Sequence, residues 1–427
     1  MYGHDLANSR RNPNETTINA STVAALTPQW TKSGLGGVIG TPAVSGGVAY
    51  FGDWQGTVWA VDAATGKTRW KTPVAGGSIV GALALDGDAV FVADGHTLYR
   101  LDRATGAIQW RADTDDHPQA QISASPVVVD GLVLQGTASY ENVLTKKDYT
   151  FRGSIAAYDE ATGKRRWKFY TTGNNARSGA GIGVWSTPAV DVKRGMLYVG
   201  TGQNLSEPTG TLADSIIALD YRTGVLKWSR QFTYPDVFSN GHPNGKDADV
   251  GASPNLWTSN GRDFVGAGDK GGTFHALDRD TGQVVWNATL TPGSFFGGEI
   301  GSSAFVDGEL IATSNVGDPK TSAPTDVTKV FALDPATGKA IWTASFPGKM
   351  FAPVSAVPGV AFVATDKATM AALDTRTGKK LWTFTAPGQV ACGPSIVDGR
   401  VLWGYGFVLF QGSSPGGVIS FSLLHHR

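Results

Sequence analysis

A nine-residue phrase repeats seven times along this chain, and it constrains the fold more than any other feature. The phrase reads Asp-x-x-Thr-Gly-x-x-x-Trp, and its copies are Asp62–Trp70, Asp102–Trp110, Asp159–Trp167, Asp220–Trp228, Asp278–Trp286, Asp334–Trp342 and Asp374–Trp382. The outer copies recur every ~40 residues and the middle copies lie farther apart, which indicates a unit of about 40 residues with insertions. A repeat of that length is typical of a four-stranded propeller blade.

Each phrase has a physical interpretation as a turn followed by a strand. Before Asp62, the stretch Thr57–Val61 alternates in polarity as a half-buried strand does. The aspartate accepts backbone N–H bonds in a tight turn, and Gly66 supplies a positive φ at little steric cost. Trp70 then begins the next strand, and we expect its large apolar ring to pack against the neighbouring blade. The repeated tryptophans are therefore interpreted as structural.

The two ends of the chain predict how the ring closes. Trp30 lies one repeat length before Trp70 and fits the end of an unpaired first strand. Residues 390–407 and 417–424 are rich in strand formers and carry no further phrase. An N-terminal strand that completes the C-terminal blade would close the ring without an exposed edge. The sequence thus predicts an all-β fold, an eight-bladed β-propeller that forms a single domain over residues 1–427.

Composition excludes several classes of function. Lysine plus arginine and aspartate plus glutamate number 36 each, so no basic face for nucleic acid is expected. No apolar run approaches ~18 residues, which predicts that no segment spans a membrane. The N-terminus shows no signal-peptide pattern, so we expect a cytoplasmic protein if Met1 is the native start, and otherwise a mature periplasmic or secreted form. Cys392 is the single cysteine, which excludes an intrachain disulfide and a covalent c-type haem.

The insertions between Trp110 and Trp342 predict where a site would lie. In repeat folds such insertions become loops on one face, commonly the binding face. The unusual polar residues of the chain are concentrated in these repeats, and they are Glu141, Arg177, Gln203, Asn204, His242, Asp247, Asp249, Lys270 and Glu299. We therefore expect a site at the mouth of the ring.

Several stretches outside the phrase resemble one family in particular. They are Tyr2–Arg10, Thr150–Ser154, Val184–Asp191, Tyr198–Asn204 and Asp249–Pro254. Together with the repeats, they resemble quinoprotein dehydrogenases, which bind pyrroloquinoline quinone (PQQ) in an eight-bladed propeller, and most closely the polyvinyl-alcohol dehydrogenase-like members. The resemblance covers essentially the whole chain. It implies PQQ and Ca²⁺ as cofactors and an alcohol as the substrate.

The resemblance also implies a role for individual residues. Trp185 corresponds to the aromatic floor on which the quinone stacks, Lys270 to the cation at the quinone oxygens, and Ser123 to a hydroxyl at a cofactor carboxylate. The implied calcium ligands are Glu141, Gln203, Asn204 and Asp249, whose oxygens suit a hard cation. Asp249 corresponds to the catalytic base. Asp247 lies two residues earlier, and strand alternation would point both carboxylates to the same face.

Three features of the family are missing from this sequence. The adjacent cysteine pair expected before Thr150 is replaced by Asp148 and Tyr149, and Tyr149 is a candidate to stack in its place. An expected arginine aligns with Val80, and Arg177 is a candidate to compensate. An expected second tryptophan is absent near Gly301. Fewer cationic and stacking partners predict weaker binding of the cofactor.

Three functions remain open from the sequence. The first is a PQQ- and calcium-dependent alcohol dehydrogenase that passes electrons to a separate acceptor, because the chain has no haem site of its own. The second is a non-catalytic propeller that serves as a binding scaffold. The third is a cofactor-independent enzyme that uses Asp247, Asp249 and Glu141 in a similar funnel. The scaffold hypothesis does not require Glu141, Gln203, Asp249 and Lys270 to meet in one pocket.

Overall fold

The repeats fold into eight antiparallel sheets, and this confirms the eight-bladed β-propeller. The computed structural model describes residues 2–75, 77–146, 148–173, 179–406 and 415–423. Within that part of the chain, the helical elements are two single turns of 3-10 helix, Val23–Ala25 and Glu141–Val143. The fold is therefore all-β, as the alternation of apolar residues predicts.

The strands are short, and most contain three to eight residues, as expected for blades of ~40 residues. The first half of the chain contains β1 (Leu26–Leu35), β2 (Ala43–Ser45), β3 (Val48–Gly52), β4 (Thr57–Asp62), β5 (Thr68–Pro73), β6 (Ala84–Asp86), β7 (Ala89–Asp94), β8 (Thr97–Asp102), β9 (Ile108–Asp113), β10 (Ala120–Gln121), β11 (Val127–Val129), β12 (Leu132–Ser139), β13 (Ser154–Asp159), β14 (Arg165–Tyr170), β15 (Ala189–Asp191), β16 (Met196–Gly200) and β17 (Ser215–Asp220). The second half contains β18 (Leu226–Gln231), β19 (Asn255–Ser259), β20 (Arg262–Gly268), β21 (Thr273–Asp278), β22 (Val284–Thr289), β23 (Ala304–Val306), β24 (Glu309–Gly317), β25 (Pro324–Leu333), β26 (Ala340–Pro347), β27 (Ser355–Val357), β28 (Val360–Ala364), β29 (Thr369–Asp374), β30 (Lys380–Thr385), β31 (Ser395–Val397), β32 (Arg400–Tyr405) and β33 (Gly416–Leu423).

Consecutive strands build each of the first seven blades. Blades 1 to 7 are β2–β5, β6–β9, β10–β14, β15–β18, β19–β22, β23–β26 and β27–β30, and in the third blade the extra strand β10 pairs with β12. The first strands of neighbouring blades contact one another, for example β19 with β23 and β23 with β27, so these strands surround the axis. The last strand of each of these seven blades is outermost. In the first blade, every residue of β3 is buried, whereas β5 has alternate exposed residues.

The ring closes through the N-terminal strand, as predicted. Blade 8 has the order β1-β33-β32-β31, with β1 as its outermost strand. β1 runs antiparallel to β33, and Leu26 lies opposite Leu423. Because the first strand of the chain pairs with the last, the ring has no open seam between its ends.

The repeated phrase joins neighbouring blades. Asp62 Oδ1 accepts hydrogen bonds from Thr65 N at 3.0 Å and Thr65 Oγ1 at 2.9 Å, and this turn places Gly66 at φ +71°. A Cβ on Gly66 would lie 2.8 Å from the indole of Trp30 in the preceding blade, so only glycine allows this packing. Trp30 Nε1 also donates to Ala63 O at 3.1 Å.

The same glycine–tryptophan packing recurs around the ring. The pairs are Gly106–Trp70, Gly163–Trp110, Gly224–Trp167, Gly282–Trp228, Gly338–Trp286 and Gly378–Trp342. At the last seam no phrase follows Trp382, and its Nε1 donates instead to Leu26 O of β1 at 3.0 Å. The structural role predicted for these tryptophans is therefore confirmed.

The N-terminal segment crosses the inner strands of four blades. Backbone N–H groups of Val190 in β15, Leu256 in β19, Phe305 in β23 and Ala356 in β27 donate to carbonyls of residues 6, 7, 9 and 10, respectively. The segment thus ties one half of the ring together around the axis. That residues 1–427 form a single domain stays a prediction.

Candidate functional site

A cavity of about 690 Å³ opens at one end of the ring. Its lining includes Ser123, Trp185, Asp249 and Phe351, which precede the innermost strands β11, β15, β19 and β27 of four different blades by a few residues. The cavity therefore lies where the chain enters the inner strands. Its other lining residues come largely from the long insertions, so the predicted working face and the cavity coincide.

An ion-pair triad forms the charged part of the cavity. Lys270 Nζ lies 3.0 Å from Asp247 Oδ1 and 2.5 Å from Asp249 Oδ2. Both carboxylates are 3% exposed, so the ammonium and the aspartates interact with little screening by water. Lys270 reaches them from the turn between β20 and β21, and its backbone N–H donates to Asp249 O at 3.0 Å.

Burial shifts the pKa values of Lys270 and Asp247 in opposite directions, because it disfavours the charged form of each group. Burial disfavours the Lys270 ammonium, but the two aspartates outweigh that effect and raise the pKa of Lys270, which stays protonated. Burial raises the pKa of Asp247 to about 7, Lys270 opposes the shift, and Asp249 adds to it. With both carboxylates ionised, the triad carries one net negative charge.

The loop that holds the two aspartates is not a strand. Residues 246–250 precede β19, and Asp247 has φ +54°, so the strand alternation expected for Asp247 and Asp249 is wrong. The buried Asp236 carboxylate fixes the loop by accepting N–H bonds from Lys246, Asp247 and Ala248 at 2.8–3.2 Å. The two side chains still meet, because Lys270 lies between them.

A flat aromatic surface lies beside the triad. The half-buried Trp185 lines the cavity, and Lys270 Nζ is 5.6 Å from its ring centroid. A Cβ on Gly251 would lie 1.7 Å from Trp185 Cη2, and a Cβ on Gly202 would lie 2.6 Å from Asp249 Oδ1. Glycine at both positions therefore lets the indole and the carboxylate take these places.

Glu141 lies outside this cavity lining. Its carboxylate is fully buried and accepts hydrogen bonds from Phe151 N at 2.8 Å, Thr150 N at 3.1 Å and Lys146 Nζ at 2.6 Å. Burial opposes ionisation, but these donors hold the pKa of Glu141 below its ordinary value. Glu141 thus closes the base of the loop between β12 and β13.

The two amide residues predicted as metal ligands differ in their surroundings. Gln203 lines the cavity, its Nε2 donates to Phe238 O at 3.1 Å, and its backbone N–H donates to Asp249 Oδ1 at 2.7 Å. Asn204 is fully buried beneath it. Asn204 Oδ1 accepts from Gly210 N at 2.7 Å, and its Nδ2 donates to Ala180 O at 3.1 Å.

The remaining candidates are divided between the cavity and its surroundings. Ser123 lines the cavity. Tyr149 is buried under the rim, where its hydroxyl donates to Leu144 O at 2.6 Å and accepts from Gly241 N at 2.9 Å. It is not among the lining residues, and its stacking role stays a prediction. Arg177 lies outside the described residues.

Sequence reasoning missed the aromatic side of the cavity and the residue that supports its acidic loop. Phe295, Phe296 and Phe351 line the cavity, with ring centroids 4.8 Å apart for the first pair and 6.1 Å apart for the second. The two consecutive phenylalanines in an insertion are a sequence signal that could have indicated the aromatic side of the cavity. No pattern distinguishes Asp236 from an ordinary loop aspartate.

Two further properties bound the site. Among the described residues, no group of three or more His, Cys, Asp and Glu side chains is placed to hold a metal ion. In the same part of the chain, no helix is long and apolar enough to cross a membrane.

The fold and the cavity define the class: an eight-bladed propeller with a ligand-sized cavity at the mouth of its ring. Residues 1–294 match the family model described as PQQ, glucose/ethanol/alcohol dehydrogenase, beta-propeller domain. The chain belongs to this PQQ-dependent dehydrogenase family. Residues 270–423 also match the model for the outer membrane protein assembly factor BamB.

Curated relatives include dehydrogenases that act on alcohols. The chain is 30% identical over 411 residues to a polyvinylalcohol dehydrogenase of Pseudomonas sp., covering 85% of this chain and 64% of that protein. It is 28% identical over 365 residues to the polyvinylalcohol dehydrogenase of Sphingopyxis sp., covering 76% and 55%, respectively. The chain thus spans about three fifths of the length of these relatives.

Solved structures share the fold. A quinohemoprotein alcohol dehydrogenase from Comamonas testosteroni superposes with a TM-score of 0.81 at 22% identity, covering 99% of this chain and 80% of that one. A europium-containing methanol dehydrogenase gives 0.80 at 18% identity, covering 99% and 97%. BamB from Moraxella catarrhalis gives 0.64 at 15% identity, covering 94% and 99%.

Proposed function

We propose that this chain is the propeller of a PQQ-dependent alcohol dehydrogenase that oxidises a primary or secondary alcohol. The observation that carries the proposal is the grouping of Trp185, Lys270 and Asp249 in one cavity at the mouth of the ring. A cavity of about 690 Å³ has the size of a small-molecule site. The family match supports the choice of cofactor.

The residues that face the cavity fit a flat, anionic quinone. Trp185 offers an aromatic surface for stacking, and the packing of its ring against Gly251 holds that surface in one orientation. Lys270 supplies an ammonium for the quinone oxygens, and Ser123 a hydroxyl for a carboxylate. When bound, PQQ would supply a carbonyl that takes up the hydride of the carbinol carbon.

Asp249 would act as the proton acceptor for the substrate. Its Oδ1 is held by the Gln203 N–H and its Oδ2 by Lys270, so the carboxylate is kept in one orientation at the cavity wall. Asp249 would take up the hydroxyl proton of the alcohol, while the bound quinone would supply the acceptor for the carbinol hydride, so that a carbonyl product is left. Asp247 shares the same ammonium, and because burial raises its pKa to about 7, it would be partly protonated near neutral pH.

Calcium fits these residues less well than the quinone does. Of the four residues implied as ligands, Gln203 and Asp249 line the cavity, whereas Glu141 and Asn204 do not. Both carboxylate oxygens of Glu141 and the amide oxygen of Asn204 already accept hydrogen bonds from the protein. These oxygens are therefore already engaged by protein donors and are not free to ligate a metal.

The electron acceptor and the compartment are part of the proposal. The family resemblance supports a separate acceptor, because the single cysteine excludes a covalent c-type haem on this chain. A periplasmic or secreted location would suit transfer to such a partner.

The decisive experiment adds PQQ to the purified protein, with and without calcium, and follows alcohol-dependent reduction of an artificial dye. We expect dye reduction with primary or secondary alcohols, and Asp249→Asn to lower kcat by roughly 10²–10⁴. Asp326→Asn is the matched control, since Asp326 is an exposed aspartate that also pairs with lysine. If the protein neither binds PQQ nor reduces the dye with any alcohol tested, the proposal is refuted.

A non-catalytic scaffold is the second candidate, because residues 270–423 match BamB and the fold is shared with it. The scaffold hypothesis does not require polar residues to converge, yet Gln203, Asp249 and Lys270 line one cavity. The cofactor-independent enzyme keeps its own test: activity lost in Asp249→Asn but retained without PQQ would favour it over the dehydrogenase.

A further inference from the structure

The carboxylates at the base of the cavity already have a cation. Lys270 Nζ lies within 3.0 Å of one oxygen of Asp247 and 2.5 Å of one oxygen of Asp249. A second oxygen of Asp249 accepts the Gln203 N–H at 2.7 Å. A divalent ion bridging these aspartates would therefore meet a partly buried ammonium of like charge, which repels it.

Glu141 has a lysine of its own. Lys146 Nζ is 2.6 Å from Glu141 Oε1, and the N–H groups of Thr150 and Phe151 point at the same carboxylate. These three donors satisfy a fully buried anion without help from a metal. To ligate an ion in the cavity, Glu141 would have to release the base of the loop that it holds.

The amides leave few oxygens for a metal. Asn204 Oδ1 is taken by the Gly210 N–H, and Gln203 is tied to Phe238 O through its nitrogen. Calcium takes about six to eight oxygen ligands. Waters can complete such a shell, but of the residues implied as ligands the protein would contribute only the Gln203 amide oxygen and the remaining lone pairs of two lysine-bound aspartates.

We infer that Lys270 is a built-in replacement for a divalent cation, and that its ammonium closes the Asp247–Asp249 site to calcium. The inference concerns the cavity of the proposed dehydrogenase and rests on that proposal for its meaning in catalysis. Binding of metal by the free protein does not depend on the cofactor, so it can be tested whether or not PQQ binds.

The test treats the purified chain with EDTA, desalts it, and titrates calcium into it by calorimetry, with and without PQQ. We expect no saturable binding up to about 1 mM calcium, a concentration that fills ordinary extracellular calcium modules. Terbium then serves as a luminescent stand-in for calcium. Trp185 lies beside Lys270 and would sensitise terbium held by the two aspartates, and Trp185→Phe separates this luminescence from that of the other tryptophans.

Two substitutions of Lys270 separate its charge from its bulk. Lys270→Met removes the ammonium and leaves two unpaired carboxylates, and we expect calcium affinity to rise by at least about tenfold with terbium luminescence excited through tryptophan. Lys270→Arg keeps the charge and should stay indifferent to calcium. Lys349→Met is the matched control, because Lys349 pairs with the exposed Asp326 far from this triad in the sequence.

Each result decides between the two accounts. Saturable binding of one calcium per chain by the unaltered protein, with terbium luminescence from Trp185, would overturn the inference even if Lys270→Met fails to fold. Calcium indifference in the unaltered protein together with a gain in Lys270→Met supports it. Absence of both PQQ binding and alcohol-dependent dye reduction would refute the proposed function instead, and the calcium titration would still decide the role of Lys270.

Discussion

Single residues in this protein work through the charge and space of their immediate neighbours. Gly251 is an example, because any side chain there would overlap Trp185, and Asp236 is another, because its carboxylate binds three consecutive N–H groups. Neither role can be predicted from residue type alone. Each depends on which groups the folded loops bring to within ~3 Å of the residue.

Glu299 is the residue whose stability effect should depend most clearly on pH. It is 1% exposed, Oε1 accepts from the Ser303 hydroxyl, and Oε2 has no partner among the described residues. Burial, the largest effect, raises its pKa to about 8, and Asp269 adds to the shift. Because the folded state binds this proton more tightly than the unfolded state, stability falls as pH rises towards 8.

We therefore predict that Glu299→Gln removes this loss. Between about pH 6 and about pH 8, the difference in unfolding free energy between the unaltered protein and the variant should change by about 2 kcal/mol, in favour of the variant at the higher pH. Denaturant unfolding at the two pH values measures it. Glu207→Gln, at an exposed position, is the control, and a pH-independent difference for Glu299→Gln would contradict the assignment.

At the scale of elements, the sequence predicted the parts that repeat. The turn at Asp62–Gly66 and the strand with Trp70 follow from residue types that favour one local conformation, and the same conformation recurs in the first seven blades. The loop between β12 and β13 has no such constraint. Glu141 looked like a metal ligand because the resemblance aligns it there, whereas Lys146 and two backbone amides, all supplied by an insertion outside the repeat, determine its contacts.

The Glu141–Lys146 pair gives a prediction for this loop. Glu141→Gln should lower the unfolding free energy by about 1–3 kcal/mol, because buried N–H and ammonium donors lose a charged acceptor. A double-mutant cycle with Lys146→Met should give a coupling of about 1 kcal/mol or more, measured by denaturant unfolding. If Glu141 instead ligates calcium, the loss would vanish in EDTA and there would be no coupling to Lys146.

For the whole molecule, the ring makes the contacts between neighbouring blades equivalent, although some join consecutive blades of the chain and one joins the last blade to the first. Trp70 packs on Gly106 of the next blade, whereas Trp30 of β1 packs on Gly66 and, in doing so, joins the last blade to the first. The closing β1–β33 ladder could be inferred from the unpaired ends of the chain. The contacts of residues 6–10 with four inner strands could not, because they pair backbone groups whose register no side-chain pattern specifies.

This equivalence predicts that Trp30→Ala and Trp70→Ala destabilise the protein to a similar extent, by about 2 kcal/mol or more each. Both changes remove a half-buried indole that fills the same space beside a glycine and donates to a backbone carbonyl, at 3.1 Å for Trp30 and 3.0 Å for Trp70. Thermal and denaturant unfolding of the two variants measure the comparison, and both should retain a single transition if the ring unfolds as one unit. A near-neutral Trp30→Ala beside a costly Trp70→Ala would mean that the closing blade opens readily. The ring would then be held by its local seams alone.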